Sequence, residues 1–331
     1  MLTIGSLKLN SPVLLAPLAG ISDSSFRLIC RQFGAGFTFV EMINARALSF
    51  KNKKTKKMLN CDPLDKPIGI QLLSAELPYV LKALEVLERF DFDLLDFNAA
   101  CPVKKVCRRG EGAALAKDPE KFEQLLQEIV RRWSKPVTVK IRSGWDSSNL
   151  NALDMARRAE QAGCQAVFIH GRHRNQFYKG TVDYAIIAAA KKSVRIPVIA
   201  SGDIFSATSA KTMFDETGCD GILVARGALG NPWIFPEIKA GLKNSSLPPP
   251  PCVNDIKETL RKHLDLSIAE HGENNAIKIM RKYVGWYFKG HPFVRPLRQK
   301  ATGVKTKNEF LVLIEGIPVC YNCATTRAEI H

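Results

Sequence analysis

Eight short runs of apolar and β-branched residues, each followed by a stretch with helical spacing, recur across the first 230 residues. No other feature limits the fold as much. The runs are 11–18 (SPVLLAPL), 37–44 (FTFVEMIN), 67–73 (PIGIQLL), 94–100 (LLDFNAA), 136–142 (PVTVKIR), 166–172 (AVFIHGR), 197–203 (PVIASGD) and 221–227 (GILVARG). Near-continuous apolar runs mark strands buried on both faces, and alternation with helices marks parallel crossovers. Eight such units predict an α/β fold, a (β/α)8 TIM barrel. Between the runs, residues 75–89, 119–133 and 206–216 carry apolar residues at three- and four-residue steps, and Ser206 caps the last of these helices.

The repeat stops at LPPPP, 247–251, because consecutive prolines fit neither a helix interior nor a sheet. The reading places the barrel at 1–246, a proline linker at 247–251 and a small helical domain at 252–331. Its helices fall at 253–270 and 275–289, and Ile277, Met280, Val284 and Tyr287 share one face of the second. Trp286, Tyr287 and Phe288 then belong to that domain's core. Across 251–331 there are 13 basic and 8 acidic residues, a net of +5.

The whole chain has 48 Lys+Arg against 32 Asp+Glu, a net of +16, a field that favours polyanions. With 46% apolar and 24% charged residues it is neither fibrous nor disordered. No apolar run is long enough to span a bilayer and the N-terminus lacks a signal pattern, so a cytoplasmic protein with no membrane association is expected. Nine irregularly spaced cysteines read as reduced thiols. No obligatory protein partner is evident.

In a barrel of this kind chemistry sits at the C-terminal strand ends. Those ends are Pro17, Asn44, Gln71, Asn98 with Cys101, Lys140 with Arg142, His170 with Arg172, Ser201 with Asp203, and Arg226. A nearly complete ring of polar ends describes a lined pocket. Ser201-Gly202-Asp203 and Arg226-Gly227 offer backbone N–H groups and a cation to a phosphate. The loop 101–117 (CPVKKVCRRGEGAALAK) is long and basic, as lids and substrate loops are.

With these motifs in place the chain resembles the tRNA-dihydrouridine synthases, on the bacterial branch that carries CPVKKV. The matching segments are APLAGISDSSFR (16–27), GIQL (69–72), DFNAACPVKKVCRRGEGAAL (96–115), VKIRSGWD (139–146), 169–180 from IHGR to FYKG, ASGDI (200–204), GCDGILVARGALGNPWIF (218–235) and 280–310. The resemblance implies flavoenzymes that use FMN and NADPH to reduce the C5–C6 double bond of uridines in tRNA, with Cys101 as the proton donor. It implies Pro17, Leu18 and Ala19 beside the isoalloxazine, Gln71 on its polar edge and Lys140 near N1 and the C2 carbonyl. Phosphate and ribityl contacts fall to His170, Ser201, Gly202, Asp203, Ala225 and Arg226. Asn98, Lys104, Arg142 and Arg172 face the RNA, and the C-terminal domain binds it. Four positions depart from the usual pattern: Ala100 and Ala225 stand where glycine is common, His173 where threonine is and Ser201 where asparagine is.

Some residues carry two readings. Cys101 is either a buried structural thiol or a reactive one; its place after a strand, before proline and in a basic loop selects the second. Cys107 reads as packing. His170 taken alone is a core histidine, and only the ring of polar strand ends moves it to the pocket. Lys51–Lys57 (KNKKTKK) is a solvated loop or a phosphate contact on the active-site rim. Cys320 and Cys323 make at best half a zinc site, so no metal is assigned. Two alternative functions stand beside the tRNA reductase: a flavin oxidoreductase of free pyrimidines, which would need neither +16 nor a basic helical domain, and a non-catalytic RNA-binding barrel.

Overall fold

The computed structural model describes residues 1–50 and 52–318. Its strands are β1 (Leu2–Ile4), β2 (Leu7–Leu9), β3 (Val13–Leu15), β4 (Thr38–Phe39), β5 (Ile43–Asn44), β6 (Ile68–Leu73), β7 (Leu94–Ala99), β8 (Val137–Arg142), β9 (Ala166–His170), β10 (Val198–Ser201) and β11 (Gly221–Val224). From β3 the parallel sheet runs through β11, β10, β9, β8, β7 and β6 to β4, with β5 also on β6. Two backbone hydrogen bonds, Leu15 N to Phe37 O at 2.9 Å and Gly36 N to Val13 O at 2.8 Å, bridge the seam between the first and last of these. The eight-stranded barrel read from the sequence is present.

The second apolar run is not one strand. It breaks into β4 and β5, both paired to β6. Between them Glu41 turns out to accept the Gly20 N–H, and Met42 offers its sulfur to Asn98. The antiparallel pair β1–β2, which the sequence reading did not assign, buries Leu2, Ile4 and Leu9 in one cluster with Leu94, Phe168, Ile199 and Leu223 inside the barrel. The lower interior is therefore packed hydrocarbon. Gly69 is required there, since a Cβ would lie 2.6 Å from the Phe39 ring.

The helices follow from their spacing. They are α1 (Ser24–Gln32), α2 (Ala45–Ser49), α3 (Lys53–Lys57), α4 (Leu77–Leu87), α5 (Lys104–Cys107), α6 (Pro119–Arg132), α7 (Ala152–Gln161), α8 (Tyr184–Ser193), α9 (Ala207–Thr217), α10 (Ile234–Leu242), α11 (Val253–His271), α12 (Glu273–Tyr287), α13 (Val294–Gly303) and α14 (Lys307–Glu315). In α6 the Asp118 side chain caps Lys121 N, Pro119 opens the first turn, and Phe122, Leu125, Leu126 and Ile129 bury one face. Ser206 caps α9 as expected, and Gly218 ends it in the left-handed conformation.

Residues 247–250 of the proline segment are exposed and irregular. The helices beyond it pack against the barrel's own helices. Phe26 of α1 lies 6.1 Å from the His263 ring and 5.9 Å from Tyr283, and Trp233 meets Phe33 and Tyr287 edge-on. Barrel residues such as Phe26 and Ile234 share one buried cluster with Leu260, Ile277, Met280, Val284 and Tyr287. At Gly230, with φ +62°, a Cβ would stand 2.3 Å from the Trp286 carbonyl carbon and from Tyr287 N. The Glu270 carboxylate accepts the N–H groups of Ser24 and Ser25, and His271 Nε2 lies 3.1 Å from Asp23 Oδ2.

Candidate active site at the barrel mouth

Period-two alternation turns the last inward position of each strand toward the mouth. The register sets Gln71 opposite Asp96, Asn98 opposite Lys140, Arg142 opposite His170, and His170 opposite Ser201. Asp96, absent from the sequence reading, is the buried hub of this layer. Its carboxylate accepts Thr138 Oγ1–H at 2.8 Å and the Gln71 amide at 2.7 Å. The Gln71 carbonyl in turn accepts from Asn98 Nδ2 at 2.7 Å, and Asn98 Oδ1 accepts the N–H groups of Ala100 and Cys101. Because a carboxylate only accepts, each amide in the chain has one possible orientation. A fixed line of hydrogen bonds thus runs from β8 to the backbone of Cys101.

Burial pushes the Asp96 carboxyl up to about 6, against its hydrogen bonds from Gln71 and Thr138 and the nearby Lys140. Burial likewise pulls Lys140 down to about 8, against the attraction of Asp96. Lys140 Nζ donates to Ser201 Oγ at 3.1 Å, so the serine at this departing position serves as its acceptor. His170 is held neutral, well below its usual value, first by burial and then by the cations Arg142, Lys140, Arg172 and Arg226. Its Nε2 is buried without a partner. A buried, unpaired ring nitrogen among four cations fits the phosphate or hydroxyl oxygens of an anionic ligand.

The Cys101 thiol is raised, chiefly by burial, so it carries its proton at neutral pH. The loop that bears it is folded. Cys101 O accepts from Ala113 N at 3.1 Å and from Cys107 Sγ at 3.4 Å, and a Cβ on Gly112 would come within 2.8 Å of that oxygen. Cys107 itself is partly buried. Glu111, buried, joins the loop to the barrel by accepting from Asn44 Nδ2 and pairing with Arg109. Lys104, Lys105, Arg108 and Arg109 face solvent from this loop.

Two residues read as RNA-facing are closed off instead. Arg142, 4% exposed, donates through Nε to Ala100 O at 2.8 Å and through Nη1 to Phe177 O at 3.0 Å. Arg172, 1% exposed, binds Asp203 with both terminal nitrogens and also reaches Gly180 O. Both brace loops: their heads are held by backbone carbonyls and, for Arg172, by a carboxylate, while Arg172 Nε is buried without a partner. Asp203, with φ +47°, receives Arg226 as well at 2.6 Å; burial alone would raise it, but the two guanidiniums hold it low.

Pro17 and Leu18 are half-buried and Ala19 exposed, just past β3 and beside β11 through Ala16 N to Val224 O. Gly202 needs its absent side chain, since a Cβ would sit 2.8 Å from Val182. Ala225 packs its methyl on the inner core and Ala100 is buried, so these two departures are accommodated. The sequence reading missed Tyr178, which is 54% exposed beneath Arg226 and Arg142, and Trp145, which has Lys117 and Arg174 at 4.9 and 4.7 Å from its ring centre. Lys56 and Lys57 of the basic run are exposed, while Lys51, Cys320 and Cys323 lie outside the described residues. Among the described residues no helix is long and apolar enough to cross a membrane.

A sequence model of one family, described as dihydrouridine synthase, matches residues 14–324. tRNA-dihydrouridine synthase B of Pasteurella multocida is 36% identical over 313 residues, covering 95% of this chain and 94% of that protein. The protein of the same name from Xanthomonas campestris is 36% identical over 323 residues, with 95% and 97% covered. A probable tRNA-dihydrouridine synthase of Mycobacterium tuberculosis is 37% identical over 326 residues, with 95% and 84% covered. Among solved structures, histamine dehydrogenase from Rhizobium sp. 4-9 superposes with a TM-score of 0.56 at 12% identity, over 80% of this chain and 50% of that one. That likeness is one of fold.

Proposed function

Because the chain belongs to the dihydrouridine synthase family, we propose that its barrel mouth binds FMN, is recharged by NADPH, and reduces uridine in tRNA to dihydrouridine in the cytoplasm. The observation that carries this reading is the line of hydrogen bonds from Asp96 to the Cys101 backbone. It holds a protonated thiol beside a mouth lined by Lys140, a neutral His170 and Arg226.

His170 Nε2, the Gly202 backbone and Arg226 suit the phosphate end of the cofactor, while Gln71 and Lys140 suit the polar edge of its ring. When bound, FMN supplies the hydride for C6 of the uracil. Cys101 gives its thiol proton to C5, which completes addition of two hydrogens across the double bond and leaves a thiolate that solvent reprotonates. Lys140 places a positive charge at the ring edge, one lever a protein has on flavin electronics. Arg142 and Arg172 act on the loops rather than on RNA. The exposed cations Lys104, Lys105 and Arg108, with those beyond residue 251, neutralise the phosphate backbone.

The test is direct. Purified protein should show, or acquire on adding FMN, a flavin absorption spectrum. With NADPH and tRNA lacking the modification it should then form dihydrouridine. A chain that takes up no flavin, yet binds tRNA with a steep salt dependence, would replace this reading with that of a non-catalytic RNA-binding barrel. Turnover of free uracil or uridine as fast as of tRNA would move it to the small-pyrimidine oxidoreductases.

A further inference from the structure

The turn after β3 carries Pro17, Leu18 and Ala19 and is tied to itself by Leu18 and Ser22: Leu18 N donates to Ser22 Oγ at 2.8 Å, and Ile21 N and Ser22 N donate to Leu18 O. Its apex is held from outside. Gly20, with φ +72°, gives its N–H to Glu41 of the barrel. The two carbonyls of the apex are bound by the C-terminal helices: Gly20 O accepts from Lys282 Nζ at 2.6 Å, and Ile21 O accepts from Tyr283 O–H at 3.0 Å. Both donors are neighbours on α12. Tyr283 is fully buried, wedged between Phe26, His263 and Trp286, whereas Lys282 reaches across the surface with its ammonium over Trp286. The apex carbonyls have thus been handed to a segment about 260 residues away in the chain.

We propose that Lys282 and Tyr283 are positioning residues for the cofactor loop, so that the flavin site is completed by the C-terminal helices and not by the barrel alone. The inference rests on the functional reading above, which sets the loop against the isoalloxazine ring; that the loop lies on the catalytic face follows from its place after a barrel strand. A loop held at its apex by two donors is preorganised for its ligand, and release of either donor lets the apex move and the ligand must then restrain it. The C-terminal helices, whose segment carries +5 of the chain's net +16, therefore also set the shape of the pocket.

The experiment uses the full-length chain with Lys282→Met, Tyr283→Phe and, as a control for loss of charge on the same helix, Lys278→Met. FMN affinity is read by quenching of flavin fluorescence, and hydrogen exchange of the peptide covering 16–23 is read in the flavin-free protein. Each loop variant should raise the Kd by roughly 3- to 10-fold, the weight of one hydrogen bond, and should speed exchange in that peptide while the barrel strands stay protected. Lys278→Met should change neither. Unaltered affinity and exchange in both loop variants would overturn the proposal, as would equal effects from Lys278→Met. A wild-type chain that binds no FMN would overturn the functional reading instead, and the exchange comparison would then judge the clamp by itself.

Discussion

Replacing Asp96 by asparagine separates charge from shape at the centre of the site. The side chains are nearly isosteric, and the Thr138 hydroxyl can rotate to accept where it now donates, so the line through Gln71 and Asn98 to Cys101 survives. What disappears is the negative charge that supports Lys140. Asp96 pairs with Thr138 in the register, which leaves Lys140 on the same face two residues further along β8, close enough for the two charges to act on each other. At an effective dielectric of about 20, opposite unit charges roughly 7 Å apart attract by about 2.4 kcal/mol. Loss of that attraction moves the Lys140 titration further down, below the value to which burial already lowers it. A larger share of the lysine is then neutral at pH 7. Brief acetylation at a series of pH values, with the Lys140 peptide quantified by mass spectrometry, reads this midpoint directly. Dihydrouridine formation at neutral pH should fall on the order of 10-fold and recover toward acid pH as the ammonium returns. Thr138→Val, which keeps the charge, should leave the midpoint near its wild-type position. An Asp96→Asn protein whose Lys140 midpoint does not move would refute the electrostatic reasoning.

Three further outcomes are expected. Cys101→Ala should leave reduction of the bound flavin by NADPH nearly intact yet slow its reoxidation by tRNA on the order of 10²-fold, while Cys107→Ala, which loses only a contact to Cys101 O, should be milder; stopped-flow on the two half-reactions compares them. The Asp23–His271 contact raises the histidine and, despite burial, lowers the acid, so the stability it adds is full between the unfolded values of about 3.8 and 6.5 and is lost as pH rises through the higher folded value of His271; His271→Gln should remove an alkaline decline of about 1 kcal/mol in urea unfolding measured across pH 6 to 9. Gly230→Ala forces a methyl into the backbone of α12 at a positive φ and should cost about 3 kcal/mol or more, seen as a lower melting temperature; an unchanged one would mean that the seam can slide.

How much of this was legible in the sequence depends on the range of the interactions. The eight strands, their order and the polar strand ends could be read because period and composition are local. Strand two was misjudged, since its break answers to Gly20 and Asn98, far away in the chain. Asp96 was passed over because an acid inside LLDFNAA looks like any polar strand residue, and its partners Gln71, Thr138 and Lys140 sit on two other strands whose register no local pattern gives. Arg142 and Arg172 show a different limit. A charged residue at a strand end reads as open to substrate, and only the packed loops show that carbonyls and Asp203 already occupy it. Tyr178 and Trp145 gained their arginines and lysine through loop folding, which leaves no spacing signature.

The prolines at 248–251 mark where the chain can be cut, but not where the protein can be taken apart. With Phe26, Trp233 and Gly230 pressed against α11 and α12, a protease nick in that exposed stretch would leave two pieces still joined by a shared interior. A chimaera that exchanges the C-terminal helices between relatives faces the same geometry: the crossover point in the gene is the proline run, yet the surfaces that must match are the turn at Gly20, the first turn of α1 and the stretch around Gly230. Recombination here would have to carry its contact surface along with it.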